Sequence, residues 1–269
     1  MAQHITIGRR GERLRLTYDT WGHGPSVLLL HGMGSWRQIW RDGLPDDHRY
    51  WALDLPGFGD SAMGRRPETL ESYAEAVEGA VHELALGDPA VVGHSFGSMV
   101  AVRWARLRGR ARAVALLAPA GFIPPDGVLE GTRFYLINRV LIWLTGSNWF
   151  GARMARHLGL DPDRLDSATR RSLQDGWRKA REMARMGPFY SYSGMGEDVR
   201  ALVAAGTPIT VIVGQQDPLF PAPRLEAALS GMHVRWLPGI GHLPMLQDPA
   251  RTRRELRAAL TASQGGSPA

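Results

Sequence analysis

The 269-residue chain contains no cysteine. That excludes a disulfide framework, a thiolate zinc site and a cysteine nucleophile, and it accords with a cytoplasmic location. Lysine is nearly absent as well: Lys179 stands alone among 32 cationic side chains, so the net charge of +6 is carried by arginine. These arginines are scattered. The one dense cluster, Arg251, Arg253, Arg254 and Arg257, falls in "DPARTRRELRAAL", where it reads as the solvated face of a final helix. No aromatic and basic stripe accompanies the charge, which argues against nucleic acid as a partner. No run approaches the ~18 uninterrupted apolar residues of a membrane span, and the start "MAQHITIGRRGERLR" places charges where a secretory leader needs an apolar run. The nine histidines include no H-x-x-x-H pair, which leaves a metal site without support. Neither an internal repeat nor a disordered composition is present, with 44% hydrophobic and 22% charged residues. The expectation is a cytoplasmic globular protein, monomer or homodimer, needing no cofactor.

What is present is an alternation. Short apolar runs closed by Gly or Pro give way to helical patterns: "RLRLTYDTWG" from Arg13, "SVLLLHG" from Ser26, "RYWALDLPG" from Arg49, "PAVVGHS" from Pro89, "ARAVALLAPAG" from Ala111, "PITVIVG" from Pro208 and "MHVRWLPG" from Met232. Between them lie helical stretches such as "TLESYAEAVEGAVHELAL" and "MVAVRWARL", and Asp248 before Pro249 has the chemistry of a helix start. This rhythm predicts an α/β fold, a mostly parallel sheet with helices on both faces. It breaks between Phe122 and about Arg200, where helical pieces rich in Trp, Met and Arg replace the strands. Residues 1–121 and 200–269 therefore read as the core, and 122–199 as a helical cap inserted into it. Trp143, Trp149, Trp177, Met183 and Met186 in the insertion read first as packing and second as a cavity lining.

Gly93, Ser95 and Gly97 form G-x-S-x-G between a predicted strand and a predicted helix. A strand that reverses sharply into a helix crowds its backbone, and glycines on either side of the serine remove the Cβ atoms that would collide. Ser95 is then held in a strained turn with its hydroxyl above the sheet, and the helix N-terminus behind it offers amides to an oxyanion, notably the N–H of Phe96. A serine hydroxyl needs a base and an orienting carboxylate. Asp217 follows the run "PITVIVG" and His242 follows "MHVRWLPG", which places each beyond a strand's carboxyl end in the chain order Ser95, Asp217, His242. A second oxyanion donor is available in "LLLHGMGSW", where the amide of Met33 follows a strand directly. His31, one step earlier, reads as a residue that holds this loop in place. "GFGDSA", from Gly57, fits a G-x-G-x-x-A pattern, but Pro56 precedes it and no acidic residue ends the next strand, so it reads as a structural turn.

Over nearly its whole length, through "HGMG", "DLPGFGDS", "GHSFG", "GQQDP" and "GIGHLPMLQDP" in that order, the chain resembles the capped, lid-bearing branch of the α/β-hydrolase fold superfamily. The resemblance implies Ser95 as nucleophile, His242 as base, Asp217 as orienting acid and the amides of Met33 and Phe96 as oxyanion hole. A substrate pocket between these loops and the cap would be walled by Trp36, Phe96, Phe122, Phe189, Tyr190, Leu219 and Leu243, an apolar set suited to an uncharged small molecule. The expected activity is carboxylesterase-like acyl transfer. Relatives on this fold also hydrolyse carbon–carbon bonds or serve secondary metabolism by elimination such as acetate loss, and a non-catalytic binding protein is a further alternative.

Overall fold

In the computed structural model, residues 2–66, 68–123, 156, 158–161 and 194–261 are described. Eight strands form a single sheet: β1 (Gln3–Arg9), β2 (Glu12–Gly22), β3 (Ser26–Leu30), β4 (Arg49–Leu53), β5 (Ala90–His94), β6 (Val114–Leu117), β7 (Ile209–Gly214) and β8 (Val234–Leu237). Their order is β1-β2-β4-β3-β5-β6-β7-β8. β1 pairs with β2, and β2 with β4, antiparallel; every pairing from β4 to β8 is parallel. The helices among the described residues are α1 (Leu70–Glu83), α2 (Phe96–Arg108), α3 (Met195–Ala204), α4 (Ala222–Ala228), α5 (Pro244–Gln247) and α6 (Pro249–Thr261), with a 3₁₀ turn at Arg37–Trp40. None of them is long and apolar enough to cross a membrane.

The sequence explains the layering. β5, β6 and β7 are buried along their whole length, as parallel strands covered on both faces must be. Successive residues of a strand face opposite ways, so one apolar run feeds two cores. Leu28, Leu30, Val91, Leu116 and Val213 join α1, α2, α3 and α4 in one cluster, while Val27, Leu29, Val92, Leu117 and Ile212 meet Ile39, Trp40, Met245 and Leu256 on the other face. α1 starts at a reciprocal cap, in which Thr69 Oγ1 accepts the Ser72 amide at 3.2 Å and Ser72 Oγ accepts the Thr69 amide at 2.8 Å. Asp248 Oδ1 accepts the Arg251 amide at 2.9 Å at the start of α6.

All seven expected runs contain a strand, and the structure adds one that the sequence reading passed over. β1 pairs Gln3 with Tyr18 through Arg9 with Glu12, and a two-residue turn at Arg10 and Gly11, both at positive φ, joins it to β2. As an edge strand with little more than Ile5 and Ile7 to bury, it carries too weak an alternation to stand out among its charges. The helical insertion expected at 122–199 lies mostly outside the described residues, as do Phe189, Tyr190, Trp143, Trp149, Trp177, Met183 and Met186. Where it is described, it joins the core: Leu158 and Leu160 are buried in the second cluster, and the junction drawn at 199/200 falls inside α3, whose Met195 and Val199 are buried in the first.

Candidate active site

The register aligns the carboxyl ends of the central strands. Leu30 of β3 pairs with Gly93 of β5, His94 with Leu117 of β6, Leu117 with Ile212 of β7, and Gly214 with Leu237 of β8. Gly32, Ser95, Asp217 and His242 all follow these ends closely, so four loops distant in sequence open on one edge of the sheet. Two of the loops leave β3 and β5, between which the chain order reverses; a parallel sheet opens a crevice at that point.

Ser95 occupies the turn from β5 into α2 with φ 51° and ψ −115°, outside the ordinary range of a non-glycine residue. Its backbone is held on both sides: the Ser95 amide donates to Leu117 O at 3.0 Å, and the Ser95 carbonyl accepts from the amides of Ser98 at 3.0 Å and Ala120 at 3.2 Å. The glycines of the motif are required by space. A Cβ at Gly93 would lie 2.5 Å from Gly97 O, and one at Gly97 would run into the carbonyl oxygens of Leu30 and His31. Phe96, next along, turns its ring into the core, edge-on to Tyr73 at 5.2 Å, while its amide stands in the first turn of α2.

Asp217 and His242 meet directly, with Nδ1 of His242 2.7 Å from Oδ2 of Asp217. A carboxylate only accepts, so this nitrogen carries the proton and Nε2 is left as the acceptor of a neutral ring. The other oxygen of Asp217 accepts the amides of Leu219 at 2.8 Å and Phe220 at 3.1 Å. Both side chains are buried, and Phe220 and His94 flank the imidazole with ring centroids at 5.6 Å and 5.1 Å.

His31 is fully buried and bonds to the segment that follows β4. Its Nε2 accepts the Leu55 amide at 3.1 Å and its Nδ1 donates to Gly32 O at 2.8 Å, a pairing that fixes the neutral tautomer; burial pulls its pKa down to about 4. It therefore braces the Gly32–Met33 loop, as the sequence reading expected. Met33, Trp36, Phe122 and Leu219 are half-buried, whereas Leu243 lies within the second core cluster.

Three features of the site were not singled out from the sequence. Arg37 pairs with Asp54, Asp60 and Asp19, and its amide donates to Asp54 Oδ1 at 2.8 Å, which ties the segment after the Met33 loop to the "DLPGFGDS" turn. Gln247 accepts the Gly241 amide at 2.8 Å and donates to Gly159 O at 2.8 Å, joining the loop of His242 to the insertion. His94 donates to the backbone of His242. Gln247 and His94 lie inside the motifs "GIGHLPMLQDP" and "GHSFG", and Arg37 follows "LLLHGMGSW" directly, but each has a partner remote in sequence, so no local spacing signals it.

A model of the alpha/beta hydrolase family matches residues 27–255. The chain is 30% identical over 241 residues to the dihydrolipoyllysine-residue acetyltransferase component of the acetoin cleaving system of Cupriavidus necator, covering 87% of this chain but only 63% of that protein's length. It is 31% identical over 248 residues to a pimeloyl-[acyl-carrier protein] methyl ester esterase of Xanthomonas campestris, covering 85% of this chain and 92% of that one. Among solved structures, a thermophilic esterase from Thermogutta terrifontis superposes with a TM-score of 0.68 at 25% identity, covering 97% of this chain and 99% of that one.

Proposed function

From the premise that the chain belongs to the alpha/beta hydrolase family, we propose that it is a serine hydrolase that cleaves small, largely apolar esters by acyl transfer through Ser95. The observation that carries the reading is the buried 2.7 Å hydrogen bond between His242 and Asp217, at the same sheet edge as a serine held at φ 51°. Its chemistry follows from the tautomer. With Nδ1–H on Asp217, Nε2 of His242 takes the Ser95 proton as Oγ bonds to the ester carbonyl carbon. The amides of Met33 and Phe96 hold the oxygen that becomes negative, and a donor of this kind is worth ~3 kcal/mol of barrier. His242 returns the proton to the departing alcohol. Water, deprotonated by the same nitrogen, then releases the acid.

The esterases among the similar proteins support an ester substrate over the eliminations and carbon–carbon cleavages that the same triad performs on this fold. Trp36, Phe122 and Leu219, with Phe189 and Tyr190 from the insertion, are the proposed apolar walls, and Leu243 packs behind them in the second core cluster.

The test is intact mass after exposure to a fluorophosphonate, followed by turnover of a panel of acyl esters. Wild type should gain one adduct, and Ser95→Ala and His242→Ala none. A folded wild type that neither labels nor hydrolyses any ester would refute the assignment.

A further inference from the structure

His94 is a buried titratable side chain that acyl transfer through Ser95 does not use. Only 2% of it is exposed, and its Nε2 lies 2.8 Å from the carbonyl oxygen of His242. A carbonyl can only accept, so Nε2 carries the proton, which leaves Nδ1 of the neutral ring as a lone pair. That lone pair is buried and, among the described residues, has no hydrogen-bond partner. Burial, then the neighbouring His242, pull the pKa down to about 3, so the ring stays uncharged at neutral pH. The ring is also wedged in place. On one side its centroid is 5.1 Å from that of His242; on the other, a Cβ at Gly32 would lie 2.8 Å from Nδ1 and 3.2 Å from Cε1. An apolar side chain of similar size would fill this space without burying an unpartnered nitrogen, a burden typically costing ~1–3 kcal/mol. The hydrogen bond to His242 is what the imidazole adds.

We propose that His94 is a positioning residue, which through its Nε2–H holds the backbone of His242 to the strand end that carries Ser95. The inference rests on His242 being the base. Asp217 fixes the tautomer of His242 and one axis of its ring, and Gln247 holds the loop at Gly241, while the bond from His94 acts on the backbone of His242 itself. Because His94 and Ser95 are adjacent in the chain, this bond ties base and nucleophile to one rigid element, and its contact with Gly32 brings the Met33 loop into the same frame. Displacement of a reacting group by about 1 Å can cost on the order of 10²-fold in rate.

The test compares His94→Leu with His94→Gln in the full chain. The Gln amide nitrogen lies as many bonds from Cβ as Nε2 does and keeps the donor. The first measurement is the proton resonance of His242 Nδ1–H in ¹⁵N-histidine-labelled protein, assigned by its loss in His242→Ala. It should be sharp in wild type, broadened or lost in His94→Leu, and restored in His94→Gln. The second is the fluorophosphonate labelling rate, expected to fall on the order of 10²-fold in His94→Leu with KM for an ester substrate unchanged, and to recover most of that loss in His94→Gln. Should His94→Leu fail to fold, His94→Asn, one bond too short to reach, takes its place with the same expected loss. A resonance and labelling rate untouched by the loss of the donor overturn the proposal, and so does equal impairment of His94→Leu and His94→Gln. A wild type that never labels, but whose resonance responds as described, sinks the hydrolase reading and leaves the positioning contact standing.

Discussion

Gly97 lies so close beneath Leu30 that any side chain at this position would overlap the Leu30 carbonyl oxygen, with the His31 carbonyl only slightly farther away at 2.6 Å. Both obstacles are backbone, and neither can swing aside as a side chain can. Gly97→Ala should therefore destabilise the fold by about 1–3 kcal/mol or more, as overpacking of a rigid site does. For a chain of this size that corresponds to a fall in Tm of about 2 °C per kcal/mol, read by calorimetry. An unchanged Tm would mean that β3 and α2 can separate freely.

Asp217→Asn tests the tautomer. The Asn oxygen can still accept the amides of Leu219 and Phe220, so the loop should survive. Its NH₂ would then face Nδ1 of His242 and drive the proton to Nε2, the nitrogen that in the proposed mechanism accepts from Ser95. If the proposed mechanism holds, kcat falls on the order of 10³–10⁴-fold with Tm little changed. Retention of more than a tenth of the activity would exclude Asp217 from the orienting role.

Two of the buried histidines, His31 and His94, contribute to the acid limb of stability. His31 and His94 are held neutral, at about 4 and about 3, against an ordinary value of 6.5. Below pH 6.5 the unfolded chain takes up protons that the folded chain refuses, so stability is complete above that pH and drains away as pH falls toward 4. The expected loss is on the order of 3 kcal/mol for His31 alone. Urea midpoints measured from pH 7 down to pH 4 should fall, and His94→Gln should show a shallower decline than wild type.

Asp54 has the opposite sign. Burial lifts its carboxyl from 3.8 to about 6 despite the pull of Arg37, so between those values the folded chain binds a proton that the unfolded chain has released. Its contribution is complete below about pH 4 and is lost as pH rises through 6. Asp54→Asn removes one partner of a buried ion pair, a change that typically costs 3–5 kcal/mol. The deficit relative to wild type should widen by on the order of 3 kcal/mol as pH drops from 7 to 4. A constant gap across that range would show that Asp54 stays ionised.

Much of this architecture is legible in the chain itself, because its causes are local. Continuous apolar runs closed by Gly or Pro mark strands covered on both faces, and the crowded turn at Ser95 admits so few residues that G-x-S-x-G discloses it. The order Ser95, Asp217, His242, each beyond a strand end, follows from a parallel sheet whose loops all open on one edge. Tertiary structure alone decided the remainder. β1 exists because β2 offers it an edge to pair with, not because its own alternation demands a strand. Whether Asp217 reaches His242, which tautomer results, and that His31 braces the Met33 loop while His94 meets the backbone of His242, all depend on hydrogen bonds spanning a few ångströms between residues up to 148 positions apart. Composition and periodicity report which side chains leave water; they carry no record of the strand register that decides which of those side chains meet.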